Sequence, residues 1–284
     1  MKWKKGRRST NVEDRRGQGV GRGVVIGGGG LGTIAIALLI FFMGGDPSVV
    51  LEPSAQGPNV SDSAPRPASE NELADFVSVV LADTEDTWNA LFQEQFGEDY
   101  PEPHLVLFTG QVESACGFAQ AAMGPFYCPA DQKVYIDLSF YGDLKTQHQA
   151  PGDFAQAYVV AHEVGHHVQN VLGISGEVHR LQQQVDSAQA NELSVRLELQ
   201  ADCLAGVWGY HAEEKRDLLE SGDIEEALNA ASAIGDDRLQ MEARGYVTPD
   251  SFTHGSSEQR VSWFKRGIQT GDINQCNTFD TAEL

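Results

Sequence analysis

The sequence predicts an α+β domain placed behind a single membrane-spanning helix, and three observations lead there. Residues 23–45 run for 23 positions without a charged side chain, and roughly 20 helical residues cross a hydrocarbon core. Two short runs rich in β-branched and aromatic residues, "HLVLFTG" and "KVYIDLSFY", then precede longer segments with helical apolar spacing. Strands first and helices after is the order of an α+β domain.

Residues 1–22 form a basic segment. They hold eight of the chain's 20 Lys and Arg residues against Glu13 and Asp14, while the whole chain carries a net charge of −21. Positive charge ahead of an apolar stretch favours a cytoplasmic N-terminus and an exported body, so a cell-membrane protein with its domain outside is expected. A cleaved signal peptide has the same charge order, but no good small-x-small site follows Met43, which favours an uncleaved anchor over 23–45. Residues 46–70 are rich in Pro, Ser, Ala and Gly without apolar periodicity and read as an extended linker. The folded domain is expected over 71–284. Its acidity repels phosphate, which argues against nucleic acid as a partner.

Within the domain, "ENELADFVSVVLADTEDTWNALFQEQF" spaces Leu73, Phe76, Val77, Val80, Leu81, Trp88, Leu91 and Phe92 for one long amphipathic helix. The two strands follow, and "KVYIDLSFY" is either an edge strand beside a cleft or an ordinary interior one. A helix over 153–173 ends at Gly173, and further helices are expected around 176–213 with a break, 223–244 and 256–268. Cys116, Cys128, Cys203 and Cys276 form no C-x-x-C pair, which argues against a thiolate metal site. An even count in an oxidising compartment suggests two disulfides. Cys116 with Cys128 would close a compact loop and Cys203 with Cys276 would tie down the tail, but the sequence alone does not choose among three pairings.

The stretch "AHEVGHHVQN", residues 161–170, carries the chemistry. Four residues advance a helix by about 400°, so His162 and His166 share a face. His167 lies about 140° from His162 and reads as a packing or hydrogen-bonding residue. In H-E-x-x-H two imidazoles bind zinc, and the glutamate between them, here Glu163, takes a proton from the metal's water. A catalytic zinc needs a third protein ligand. No H-x-x-G-x-x-H continuation follows His166, which excludes the metzincin arrangement. Downstream, "RLELQADCLAGVWGYH" sets Glu198 and Asp202 four apart among Leu197, Ala201, Leu204, Ala205 and Trp208. Acids among apolar residues are costly to bury unless a cation meets them. Glu198 is therefore the expected third ligand, and Asp202 the acceptor for the free N–H of a ligand histidine. Glu192, at a helix start, is the weaker competitor.

H-E-x-x-H followed by E-x-x-x-D resembles the gluzincin class of zinc peptidases, in which Glu is the third ligand. The nearer likeness is to the neutral zinc metallopeptidase family of bacterial membrane-anchored proteins. "RRSTNVEDRRG", "GPFYCPADQKVYIDLSFY", "AHEVGHHVQN", "ELQADCLAGVW" and "PDSFTHGSSEQRVSWF" all resemble that family, nearly the whole length of the chain. The resemblance implies a zincin-like domain with one zinc ion and a peptide or protein substrate. In "FTHGSSEQRVSWF", His254 precedes Arg260 by six residues, similar to the H-P-x-x-x-x-R segment of membrane-associated M48-type gluzincins, with Gly255 in place of proline. His254 is thus the candidate donor to the charge that develops on a scissile carbonyl oxygen. Arg260 either supports it or pairs with an acid near the metal; Tyr210 and His211 are alternative donors. The leading expectation is a zinc endopeptidase. The alternatives are a non-catalytic zinc-binding envelope protein that docks a partner, and a zinc amidase acting on a cell-wall linkage. Glu163 favours catalysis, because a structural site needs no base.

Overall fold

The computed structural model describes residues 1–17, 68–281 and 284. The expected anchor at 23–45 lies outside the described residues, as does most of the linker at 46–70. Among the described residues no helix is long and apolar enough to cross a membrane. Met1–Arg16 and Pro67–Leu284 form one compact unit. The basic segment, read from its charge as a piece apart, therefore gives its first 16 residues to the body.

The strands are β1 (Val12–Asp14), β2 (His104–Phe108), the hairpin β3 (Gln111–Ser114) and β4 (Gly117–Gln120), β5 (Phe126–Cys128) and β6 (Lys133–Asp137). Four of them make a mixed sheet in the order β1-β2-β6-β5. β1 and β6 both run parallel to β2, and β5 is antiparallel to β6. "KVYIDLSFY" is thus an interior strand and not the edge: β5 flanks it, and only its first five residues are extended. Asp137 ends the strand, its carboxylate accepting from the backbone N–H of Ser139 at 2.9 Å and of Gly110 at 2.6 Å.

The helices are α1 (Ala68–Gln95), α2 (Phe140–Thr146), α3 (Asp153–Val171), α4 (Ile174–Gln182), α5 (Ser187–Arg216), α6 (Asp223–Ala233), α7 (Asp236–Arg244) and α8 (Ser257–Thr270). The single helix expected over 223–244 is two, α6 and α7, separated at Ile234 and Gly235. Reciprocal capping boxes start α5 (Asp186 with Gln189) and α8 (Ser256 with Gln259), satisfying backbone donors that a helix end leaves open. The main core gathers Phe76, Val80 and Leu81 of α1, Leu105 and Leu107 of β2, Phe154, Tyr158 and Val164 of α3, Trp208 of α5 and Phe264 of α8. A smaller cluster around Val112, Ala119 and Tyr135 lies under the hairpin.

Two disulfides close the fold. Cys116–Cys128 joins the hairpin to β5, and Cys203–Cys276 ties α5 to the last 3-10 turn. α5 and α8 pass at glycine: a Cβ on Gly267 would lie 1.9 Å from the Cys203 carbonyl oxygen. This close crossing holds Arg260, on α8, over the middle of α5.

Candidate metal centre

α3 and α5 present the motif residues to each other. The two helices approach at Gly165, inside the histidine motif, where a Cβ would stand 3.0 Å from the Ala201 carbonyl oxygen. One ligand atom from each of His162, His166 and Glu198 lies within 4.8 Å of the others. The Glu198 carboxylate is 3.1 Å from His162 Nε2 and 3.4 Å from His166 Nε2. Three donors converge on one point, two of nitrogen and one of oxygen. That set suits a catalytic zinc with an open position.

The remote nitrogens fix which way each ring faces. His162 Nδ1 lies 2.9 Å from Asp202 Oδ1, and His166 Nδ1 lies 2.8 Å from Gln169 Oε1. With both Nδ1 atoms donating, both Nε2 lone pairs are left for a metal. Gln169 is itself held: its Nε2 donates to the Leu197 carbonyl at 2.7 Å and to Gln200 Oε1 at 3.1 Å. Gln200 Nε2 donates in turn to the Cys276 carbonyl at 3.1 Å. A continuous relay thus runs from a ligand imidazole to a disulfide cysteine.

Asp202 is fully buried and meets Arg260 in a two-pronged ion pair, Nε to Oδ2 at 2.9 Å and Nη2 to Oδ1 at 3.0 Å. The Tyr158 hydroxyl donates to the same carboxylate and accepts from Arg260 Nη2 at 3.2 Å. Of the two expectations for Arg260, the pairing with an acid near the metal is the one the geometry displays. Burial works to raise the Glu198 pKa, but the charges of His166 and His254 and the imidazole hydrogen bonds hold it well below the usual carboxylate range. Burial disfavours a charged His162, yet Asp202 and Glu198 outweigh it and lift that ring to about 10. This pocket demands positive charge, and a divalent cation fits the donor set.

Glu163 is buried beside the two rings, and burial raises its pKa against the opposing pull of His166 and His162. A raised carboxylate pKa suits a group that must both take and give a proton. His254 stands at the rim, its side chain 47 % exposed, with Nδ1 3.3 Å from Asp236 Oδ1. The other Asp236 oxygen accepts from the backbone N–H groups of Thr253, His254 and Gly255 at 2.7, 2.6 and 3.1 Å, which pins the loop. Burial lowers the His254 pKa, but the Glu198 and Asp236 carboxylates raise it overall. Gly255 has φ +89°. Proline is locked near −65°, so this loop has no place for the H-P dipeptide of the resembling segment.

Other expectations fall elsewhere in the fold. Glu192 pairs with Arg196 at 2.9 Å on the exposed side of α5, not with the metal triad. Tyr210 and His211 lie twelve and thirteen residues beyond Glu198 on one helix, roughly 18 Å along its axis. His211 Nε2 instead bonds the Gly271 carbonyl at 2.9 Å. His167 is buried away from the triad, its Nε2 2.5 Å from the Pro101 carbonyl oxygen and its Nδ1 2.9 Å from the Tyr127 hydroxyl. Sequence reasoning missed Tyr158, Gln169 and Gln200. Helical spacing held the signal for the first two, since Tyr158 stands four before His162 and Gln169 three after His166. A second acidic cluster, Asp153, Asp223 and Glu226, also has metal-like spacing. There the Met1 ammonium lies 2.7 Å from Asp153 and 3.3 Å from Asp223, so a cation is already present.

Comparison with known proteins finds relatives and a family for this chain. The uncharacterized protein YpfJ of Escherichia coli (strain K12) is 52% identical over 288 residues, covering 98% of this chain and 99% of its own. The uncharacterized protein Rv2575 of Mycobacterium tuberculosis is 48% identical over 195 residues, 65% of each chain. No solved structure matches. The family model described as "Putative neutral zinc metallopeptidase" matches residues 1–279, and the chain belongs to that family.

Proposed function

We propose that this protein is a zinc-dependent metallopeptidase with one zinc ion, hydrolysing peptide bonds of peptide or protein substrates outside the cytoplasm. The observation that carries the reading is the convergence of His162, His166 and Glu198 on one point, with Glu163 buried next to it on the same helix. The zincin-like character of the domain belongs to the same reading, and two disulfides favour an oxidising compartment. Zinc, when bound, would polarise the scissile carbonyl and acidify the attacking water. His162, His166 and Glu198 would hold it. Asp202 and Gln169 keep the two rings in the metal-facing tautomer. Glu163 takes the proton from the water and passes it to the departing amine nitrogen. His254, tethered through Asp236, offers a donor to the carbonyl oxygen as negative charge builds there. Arg260 serves as counter-ion to Asp202.

The test is zinc stoichiometry and cleavage of a peptide library by the full chain, wild type and Glu163→Gln. The variant is expected to keep its zinc and lose cleavage by at least a hundredfold, the scale of a positioned base. Equal cleavage by both proteins eliminates Glu163 as the base. Zinc binding with no cleavage by either would instead support the non-catalytic alternative.

A further inference from the structure

We propose that Tyr141 is a positioning residue for the reaction, its hydroxyl donating a hydrogen bond to the Glu163 carboxylate once a substrate is seated. The proposal rests on the metallopeptidase reading, because it gives a partner to the group that moves the proton there.

The first observation is an orphaned hydroxyl. Tyr141 is the second residue of α2 and only 3 % exposed, yet its hydroxyl has no hydrogen-bond partner. Such a group has lost its water and gained nothing in return, so in a native fold it needs a cause. Phenylalanine would fill the same place without that cost. Among the described residues three other buried polar atoms share the condition: Trp88 Nε1, Tyr100 Oη and His148 Nδ1. The Tyr100 ring stands 4.9 Å from that of Phe92 and 6.5 Å from that of Trp88, so these belong to an aromatic cluster of the core. Tyr141 differs from them by where the fold puts it.

That place is beside the face of α3 that bears Glu163. Glu163 and His167 are one turn apart on this face. His167 Nδ1 lies 2.9 Å from the Tyr127 hydroxyl of β5, and Asn170 Nδ2 donates to the same hydroxyl at 3.0 Å. The sheet edge therefore lies along the C-terminal half of α3. Tyr127 is in register with Val134 of β6, and from Val134 the chain runs on to Asp137 and turns directly into α2. The Tyr141 backbone N–H donates to the Leu138 carbonyl at 3.3 Å, which ties the helix start to the strand end. The ring is then buried in one cluster with Val159, Val160 and Val164, the neighbours of Glu163 on α3. Electrostatics agrees with this placement. Burial pushes the phenol pKa up, and the charge of Glu163 pushes it further, so at neutral pH the hydroxyl keeps its proton and remains a donor.

Hydrogen bonds that serve catalysis are often open in a resting enzyme and close when substrate arrives. Glu163 has two tasks, to take a proton from the water and to deliver it to the leaving nitrogen. A hydroxyl that holds one carboxylate oxygen leaves the other to carry the proton between them. Tyr141 keeps its own proton throughout and acts through Glu163.

The test is Tyr141→Phe in the full chain, which removes one oxygen and keeps the ring. Zinc stoichiometry and the urea midpoint should match or exceed the parent's. On a peptide that the parent cleaves, kcat should fall roughly 10- to 100-fold with KM unchanged, the scale of a misplaced reacting group. An unchanged kcat overturns the proposal, and so does a lowered midpoint, which would mark a hydroxyl that holds the fold. A second readout needs no turnover. With 3-fluorotyrosine at position 141 of the zinc-loaded chain, the fluorine resonance should move on Glu163→Gln and stay in place on Glu177→Gln, a change at an exposed site on α4. A resonance that ignores Glu163→Gln overturns the proposal. If the parent cleaves no peptide while the resonance moves, the metallopeptidase reading falls and the pairing of Tyr141 with Glu163 stands.

Discussion

Asp202 meets four donors with two oxygens: one from His162, one from Tyr158 and two from Arg260. Removing the arginine would leave a buried carboxylate without its counter-ion, and breaking such a pair costs about 3–5 kcal/mol. Arg260→Met should therefore lower the denaturant midpoint strongly, beyond any change in activity, and equilibrium unfolding by urea checks it. The ligand set is tested separately by zinc titration. Glu198→Ala should release the metal, whereas His167→Ala should keep it and lose stability, because the Pro101 carbonyl loses its donor. The legible part of the site was the spaced motif on α3 and the two acids on α5. His162, Glu163 and His166 follow from spacing alone, and Glu198 and Asp202 from the cost of burying acids among apolar residues. Gln200 was illegible, since its role depends on a carbonyl 76 residues away in sequence. Arg260 left two readings open because nothing in a sequence says which carboxylate a buried guanidinium will face.

At the scale of elements, the crossing of α5 and α8 depends on the absence of a side chain at Gly267. Gly267→Ala would drive a methyl into the Cys203 carbonyl, at the upper end of overpacking penalties, about 3 kcal/mol. The expected fall in Tm is roughly 10 °C for a domain of this size, measurable by calorimetry. A mild change would mean that the helices separate easily. Long periodic helices were readable before the structure: α1, α3 and α8 stand within a few residues of their expected limits. The three-residue strands β1 and β5 were not, because so short a run shows no alternation and exists only through its neighbour. The break at Ile234 and Gly235 was also missed. It belongs to the packing of that turn on Ser257, whose backbone nitrogen would lie 2.4 Å from a Cβ at Gly235.

For the molecule as a whole, the two disulfides should matter unequally. Cys203–Cys276 spans 73 residues and Cys116–Cys128 spans 12. Loop-closure entropy assigns about 4 kcal/mol to the longer and about 3 kcal/mol to the shorter. Replacing Cys203 and Cys276 with Ala should thus lower the unfolding midpoint more than the same change at Cys116 and Cys128. Loss of the longer bond should also loosen zinc, since Cys276 anchors the relay to His166. Side-by-side denaturation and zinc competition would show it, and equal zinc affinity in both double variants would detach the relay from the metal.

The parallel pairing of β1 with β2 has a consequence in time. Val12 meets Leu105, so the first strand emerges from the ribosome about 90 residues ahead of its neighbour in the sheet. At about 5–20 residues per second that is a wait of roughly 5–20 seconds. The whole apolar stretch is synthesised within the interval. The first strand thus has no partner until the second has been made, and this edge of the sheet can close only after that wait.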